Sequence, residues 1–519
     1  MTIRDHNLHV FNTLGHVRQP FAPAAPPHVG LYVCGPTVYG DAHIGHAKSY
    51  VAFDVILRYL RYLGYDVTYV QNITDVGHLT DDADAGEDKV EKAARARRVH
   101  PMAIAEDYTR RYFQDMDCLN VLRPDISPRA SGHIIEQIEH VRKLIEHGHA
   151  YEANGNVYFD VTSWGKYGRL SGRSVDQMQA GARVETNSDK RHPADFALWK
   201  AAEPGHIMQW PSPWGMGYPG WHIECTVMSQ KYLGDTIDIH GGGIENQFPH
   251  HENEIAQAEA VTGEPFVRYW LHNNMVTVQG QKMGKSLGNF ITLRDAFERW
   301  DPMVLRLFLL QTHYRSQTDF SEEAIEAAKS GYERLVEFAS AILKQEATSP
   351  ESDTGDVILG LTKEARNRFQ QAMDDDFNTA GALASLFDLA RNVRNRASHG
   401  PGLSRGSLKV ARDTLQKLAG VLGLVLERST KESDDTKALK KLVRRLLKER
   451  DEARSQRQFQ EADRIRDYMA QSDVSVRDTA TGSTAAFPSG TEVRTDEPDE
   501  QHEDFAAPGD MTADWVTDD

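Results

Sequence analysis

The segment Leu31 to Val70 constrains the fold more than any other part of the chain. The apolar run Leu31-Tyr32-Val33-Cys34 is too short for a helix and stops at Gly35-Pro36, so it reads as a buried strand. An amphipathic helix starts at His43-Ile44-Gly45-His46, carries Val51, Val55, Tyr59 and Leu63 on one stripe, and is stopped by Gly64. Val67-Thr68-Tyr69-Val70 then gives a second short strand, completing a β-α-β unit. Thr236-Ile237-Asp238-Ile239 and Met275-Val276-Thr277-Val278 read as further strands after a long interval. A parallel nucleotide-binding sheet split by an insertion is the expected core.

That unit also carries chemistry. Two imidazoles and the amides of a helix N-terminus converge where an anion such as a nucleotide triphosphate could sit, although strand-loop-helix junctions are common and often hold nothing. A second signal lies far downstream in Lys282-Met283-Gly284-Lys285-Ser286, a glycine-flanked loop whose two lysines could close over phosphates. Alone it would be a solvated turn; the two together point to phosphate chemistry.

The thiols point to metal. Cys34, Cys118 and Cys225 are the only cysteines in 519 residues, and Met1 to Val10 is polar, so neither a disulfide scaffold nor a secretory or membrane segment is expected. Cys118 belongs to a helical pattern and is read as a packing residue. Pro249 suits the first turn of a helix running to about Thr262 and ended by Gly263. Residues four apart share a helix face, so His250 and Glu254 point together, whereas His251 pairs with Ile255 and reads as a core contact. Cys34, Cys225, His250 and Glu254 make a donor set chemically suited to zinc, although ligands so widely spaced cannot be assembled from sequence alone.

An early His-Ile-Gly-His and a late Lys-Met-Gly-Lys-Ser together resemble the signature of class I aminoacyl-tRNA synthetases. The chain is similar to the cysteinyl-tRNA synthetase family through Tyr32 to Tyr50, Asn72-Ile73-Thr74-Asp75, Pro219-Gly220-Trp221-His222-Ile223-Glu224-Cys225, His240-Gly241-Gly242-Gly243, Phe248 to Glu254 and Asp374 to Thr379. Gly284 stands where Ser is commoner. The resemblance implies an α/β fold: a Rossmann-like catalytic domain (residues 1–320) with a connective insertion (about 125–215), then a helical tRNA-binding, anticodon-side bundle (321–470), a small segment (471–487) and a tail (488–519). It implies activation of L-cysteine by ATP and transfer of the acyl group to the terminal adenosine of tRNA(Cys). One Zn2+ per chain would be held by Cys34, Cys225, His250 and Glu254, and Mg2+ would accompany ATP. His43, His46, Lys282 and Lys285 would be catalytic, with His43, His46, Lys285 and Glu245 on ATP; a surface carboxylate is the other reading of Glu245. Cys34, Gly35, Thr74 and Trp221 would line the amino-acid pocket, with core filling the other reading of Trp221. A cytoplasmic monomer without membrane contact is expected. Selection of a thiol by a soft metal at first binding would remove the need for a hydrolytic editing domain, because an apolar pocket separates cysteine from serine poorly.

From about Ser321 the chain turns helical. Leu439, Leu442, Val443, Leu446 and Leu447 mark an apolar face flanked by Lys440, Lys441, Arg444, Arg445 and Lys448, a pattern open to tRNA contact. Relatives often carry Trp where Ala485 stands, which puts anticodon stacking there in question. Ten of the seventeen net negative charges fall in residues 488–519, which hold eleven acids and one Arg, so a disordered acidic tail is expected and the rest of the chain is only modestly acidic. Two rivals remain: a ligase of the same fold that joins cysteine to an amino sugar and lacks the full helical domain, and a scaffold-only zinc protein that binds RNA without catalysis.

Overall fold

The structure, a computed structural model, describes the chain except residues 1–2, 81–85, 174–187, 285–286, 350–355, 400–402, 427–433, 472–473, 480–481, 487–491 and 495–519. It divides into two compact units, residues 1–427 and 428–519.

The core of the first unit is β1 (His28–Val33), α1 (Ile44–Leu63), β2 (Asp66–Gln71), α2 (Trp221–Leu233), β3 (Ile237–Gly243), α3 (His250–Thr262) and β4 (Val267–Asn273). The four strands form one parallel sheet in the order β4-β3-β1-β2. Leu31 pairs with both Ile239 and Tyr69, so β1 is central and buried on both faces, as its unbroken apolar run requires. The chain leaves β1 toward β2 on one side and β3 toward β4 on the other. The C-terminal ends of β1 and β3 therefore flank the switch point at which open α/β sheets bind ligands.

One strand expectation changes and one strand was not expected. Val267–Asn273 is the fourth parallel strand, whereas Val276–Val278 pairs with Gln281–Lys282 and Thr318–Phe320 in a separate small sheet. The two strands are two residues apart and Val267–Asn273 mixes Arg268, His272 and Asn273 with its apolar residues, so periodicity alone could not assign them to different sheets.

Helix α1 ends at Gly64, whose φ of 100° is a left-handed cap that an L side chain would strain. It buries Tyr50, Phe53, Leu57 and Leu60 as well as the expected stripe, because the helices Pro302–Leu310 and Arg405–Val421 pack on it as well as β2. Between β2 and α2 lies the insertion, a five-stranded antiparallel sheet built from Ala150–Ala153, Asn156–Phe159, Phe196–Ala201, Trp210–Ser212 and Gly215–Pro219.

The compact first unit continues past residue 320. Helices Glu322–Thr348, Asp356–Asp374, Thr379–His399 and Arg405–Val421 share one apolar core with α1, through residues such as Tyr59, Phe369, Leu386 and Leu415. Asp374 accepts from Asn7 N at 2.9 Å, and Asp376 accepts from Phe11 N at 2.9 Å and pairs with Arg315 at 2.6 Å. The loop between two helices is thereby fastened to the chain's start, a constraint that local composition cannot reveal.

The second unit packs helices Asp434–Ser455 and Phe459–Gln471 with an antiparallel meander, Ser475–Thr479, Gly482–Ala486 and Glu492–Arg494. Val443, Leu447, Met469, Val474, Ala485 and Val493 form its core. Leu439 and Leu442, expected on the apolar face, are instead exposed. Within the stretch 488–519, read from composition as a coreless tail, Glu492–Arg494 is a strand: a single valine between a glutamate and an arginine seats it, and composition averaged over the stretch hides it.

Candidate active site and metal centre

Cys34 follows β1 directly, with its amide donating to Gly241 O at 3.1 Å. Gly35 comes next, and only a residue without Cβ fits there: a Cβ would stand 1.6 Å from Asn72 O. Cys225 lies on the second turn of α2, one turn after Trp221, while His250 and Glu254 occupy the first two turns of α3. Three elements far apart in sequence thus bring four donors together. Cys34 Sγ is 3.9 Å from Cys225 Sγ and 3.8 Å from Glu254 Oε1, and His250 Nε2 is 3.1 Å from Glu254 Oε1. One donor atom from each of the four lies within 4.8 Å of all the others. Tetrahedral zinc with ~2.3 Å bonds to sulfur spaces two thiolates about 3.8 Å apart, so the set fits that ion.

A second set overlaps it. His240 Nε2 and His251 Nε2 reach Cys34 Sγ at 3.5 and 3.2 Å, and the donor atoms of Cys34, His240, His251 and Glu254 lie equally close to one another. His251, read from the sequence as a core contact, is buried but faces the thiol, and His272 Nε2 lies 2.7 Å from its Nδ1. Cys34, Cys225 and His250 line the cavity, whereas His240 and His251 do not, so only the first set faces a space a small substrate could enter. Burial drives the ionisable groups toward their neutral forms: Glu254 is pushed well up by burial and by Cys34, Cys225 well up by burial and by Cys34, and His240, His250 and His251 well down by burial. Glu254 Oε2 is buried without a hydrogen-bond partner. A pocket holding two thiols, imidazoles and a carboxylate with one oxygen free of hydrogen bonds suits a divalent cation.

The cavity, about 520 Å³, is lined by the donors Cys34, Cys225 and His250, by Gly35, Thr74 and Trp221, and by His43, His46 and Glu245. Two imidazoles stack on Trp221, His78 at 3.9 Å and His250 at 4.4 Å between ring centroids. His78 was not signalled by the sequence, since a lone histidine in a polar stretch carries no periodicity.

At the start of α1, His43 Nδ1 accepts from Gly45 N at 3.1 Å and His46 Nδ1 accepts from His43 N at 3.2 Å, a reciprocal cap made by two imidazoles. Part of the N-terminal amide field expected for an anion is therefore already used. Backbone N–H groups only donate, so each ring accepts at Nδ1 and carries its proton on Nε2. His46 is held neutral, pushed well down by burial and by His43.

Lys282 is exposed on the strand Gln281–Lys282 and, among the described residues, is not part of the cavity wall. Asn289 accepts from Gly284 N at 2.9 Å and donates to Lys282 O at 3.1 Å, closing the loop at its base. Met283 lies 3.6 Å from where a Gly45 Cβ would stand, which brings this loop to the start of α1. Lys285 and Ser286 lie outside the described residues. Cys118, read as packing, is exposed.

A family model described as the catalytic domain of class I (C) tRNA synthetases matches residues 20–330, and one described as the DALR domain matches residues 368–427. Proteins named as cysteine--tRNA ligase from Chlorobaculum tepidum, Deinococcus radiodurans and Thermus thermophilus are 52%, 51% and 49% identical to the chain. The matches cover 92%, 92% and 91% of it and 98%, 96% and 98% of those proteins. Among solved structures, Mycobacterium tuberculosis methionyl-tRNA synthetase with methionyl-adenylate superposes with a TM-score of 0.56 at 16% identity, over 81% of this chain and 94% of that one. The leucyl-tRNA synthetase of Agrobacterium radiobacter in its ternary complex gives 0.57 at 12% identity, over 78% and 85%. These two likenesses speak to the fold alone. Fold, paired motifs and full-length identity agree: the chain belongs to the cysteinyl-tRNA synthetase family of class I enzymes, which use ATP to join cysteine to tRNA(Cys).

Proposed function

We propose that the enzyme selects cysteine over serine through one zinc ion held by Cys34, Cys225, His250 and Glu254, at the end of the cavity where the amino-acid side chain lodges. The observation that carries this reading is the convergence of two thiols, an imidazole and a carboxylate on one buried point opening into the cavity. When bound, zinc supplies a soft Lewis acid that lowers a thiol's pKa and favours sulfur over an alcohol oxygen. His222, whose Nδ1 is 2.9 Å from His250 Nδ1, would fix the tautomer that leaves His250 Nε2 for the metal.

The remaining residues bind and orient. Thr74 and Trp221 would wall the amino-acid pocket. The Nε2–H groups of His43 and His46 would donate to phosphate oxygens of ATP, Glu245 would accept from the ribose, and Lys282 and Lys285 would close over the departing pyrophosphate. Attack of the cysteine carboxylate on the α-phosphate needs alignment and charge stabilisation rather than a covalent enzyme intermediate.

Zinc quantitation on the purified protein, combined with amino-acid-dependent ATP–pyrophosphate exchange, tests the proposal. About one zinc per chain and exchange driven by cysteine but not serine are expected. Metal-free protein that still prefers cysteine would refute it.

A further inference from the structure

One buried carboxylate of the pocket is not used by this reading. Glu224 lies one residue before Cys225, is 1% exposed, and lines the cavity beside Thr74 and Cys225. The hydrogen bonds leading to it have a forced direction. Gly35 N can only donate and does so to Asn72 Oδ1 at 2.8 Å, which turns the Asn72 amide nitrogen toward Thr74 Oγ1 at 3.1 Å. Having accepted there, the Thr74 hydroxyl gives its proton to Glu224 Oε1. Thr74 Oγ1 keeps one lone pair, and Glu224 Oε2 is buried with no hydrogen-bond partner.

The neighbouring carboxylates are already satisfied. Asp75 accepts from Ser131 N and Oγ at 2.9 and 2.6 Å, and Asp88 accepts from Gly77 N, Val90 N and Glu91 N at 2.7 to 3.0 Å. With Glu224 ionised, Thr74 and Glu224 present acceptors alone to the cavity, and a cationic N–H donor is the complement that stabilises that form.

We propose that Glu224, together with the Thr74 hydroxyl it polarises, receives the α-ammonium group of the substrate cysteine and makes the pocket specific for an amino acid rather than any small thiol. This rests on the preceding reading, which puts the substrate's sulfur at Cys34 and Cys225 in the same cavity.

The test compares affinities of the full-length, zinc-loaded enzyme for cysteine and for 3-mercaptopropionate, which keeps the thiol and carboxylate and lacks the amine. In Glu224→Gln the preference for cysteine over 3-mercaptopropionate should shrink about ten- to hundredfold, the worth of one charge-assisted hydrogen bond, with zinc content and KM for ATP retained. An unchanged preference would overturn the proposal, since a merely structural carboxylate would weaken both ligands alike. If that variant does not fold, Glu224→Asp, which withdraws the carboxylate by one methylene, is read by the same ratio and with the same two outcomes. Binding of alanine to the unaltered enzyme is the separate control. Alanine bound as tightly as cysteine would unseat the zinc–thiol reading, while the amine ratio would still decide Glu224.

Discussion

Cys225 shows how much rests on one atom. Its sulfur is buried on α2 and has Cys34 Sγ 3.9 Å away, so Cys225→Ser keeps the shape and removes the soft donor. The variant should lose zinc and raise KM for cysteine on the order of a hundredfold with little change for ATP; equal effects on both would contradict the pocket assignment. Steady-state exchange kinetics with metal analysis decide it. Lys48 offers a pH signature. It is buried on α1 and donates to Thr318 Oγ1 at 2.6 Å, and burial lowers its pKa from 10.5 to about 8. Between those values the unfolded chain binds the proton and the native protein does not. Stability should therefore rise with pH from about 8 to 10.5, by at most about 3 kcal/mol, and Lys48→Met should flatten that stretch of a urea-melt pH series. Single residues were legible unevenly. Cys34, His43 and His46 stood out by motif, whereas Glu224, His251 and Asn72 acquire meaning only from neighbours that the sequence keeps far away.

Elements carry the next set of consequences. Arg306, on the helix Pro302–Leu310, is fully buried; it pairs with Asp54 of α1 and donates to Leu422 O at 2.8 Å and Leu119 O at 2.7 Å. The group binds three stretches of chain with one cation. Arg306→Met should cost about 2 to 4 kcal/mol in chemical denaturation, because it removes the donor to the buried Leu119 and Leu422 carbonyls and one of two guanidinium partners of Asp54, which keeps Arg58 at 2.8 Å. In the second unit, Ala485 is fully buried on the central strand of the meander, against a core that includes Val443, Leu447 and Met469. The position is therefore not a surface from which a ring could stack on a base in this chain. Ala485→Trp should overpack that core and lower its stability by about 1 to 3 kcal/mol or more, read as faster proteolysis of the unit within the full-length protein. The helix and strands forming α1, β1 and β2 were readable because their periodicities are strong. The separation of β4 from Val276–Val278 was not, since two adjacent strands look alike until their partners are known.

On the scale of the whole molecule, truncation after Phe487 gives a direct check on the C-terminal strand. The cut removes Glu492–Arg494 and with it the fully buried Val493, so the remaining meander should lose about 1.5 to 3 kcal/mol and become more open to protease. Unchanged protection would mean that the third strand adds nothing. Among the described residues no helix is long and apolar enough to cross a membrane. The sequence by itself determined the donor types, the β-α-β start, the His-Ile-Gly-His and Lys-Met-Gly-Lys-Ser motifs and the family, because these are written within short windows where spacing has direct meaning. Only the tertiary structure decided that His251 faces the Cys34 thiol, that the helices up to residue 427 share the core of α1, and that Glu224 meets Thr74 across 150 positions. The reason is that a residue's own helix or strand fixes the face it shows, but strand order in the sheet fixes what that face meets.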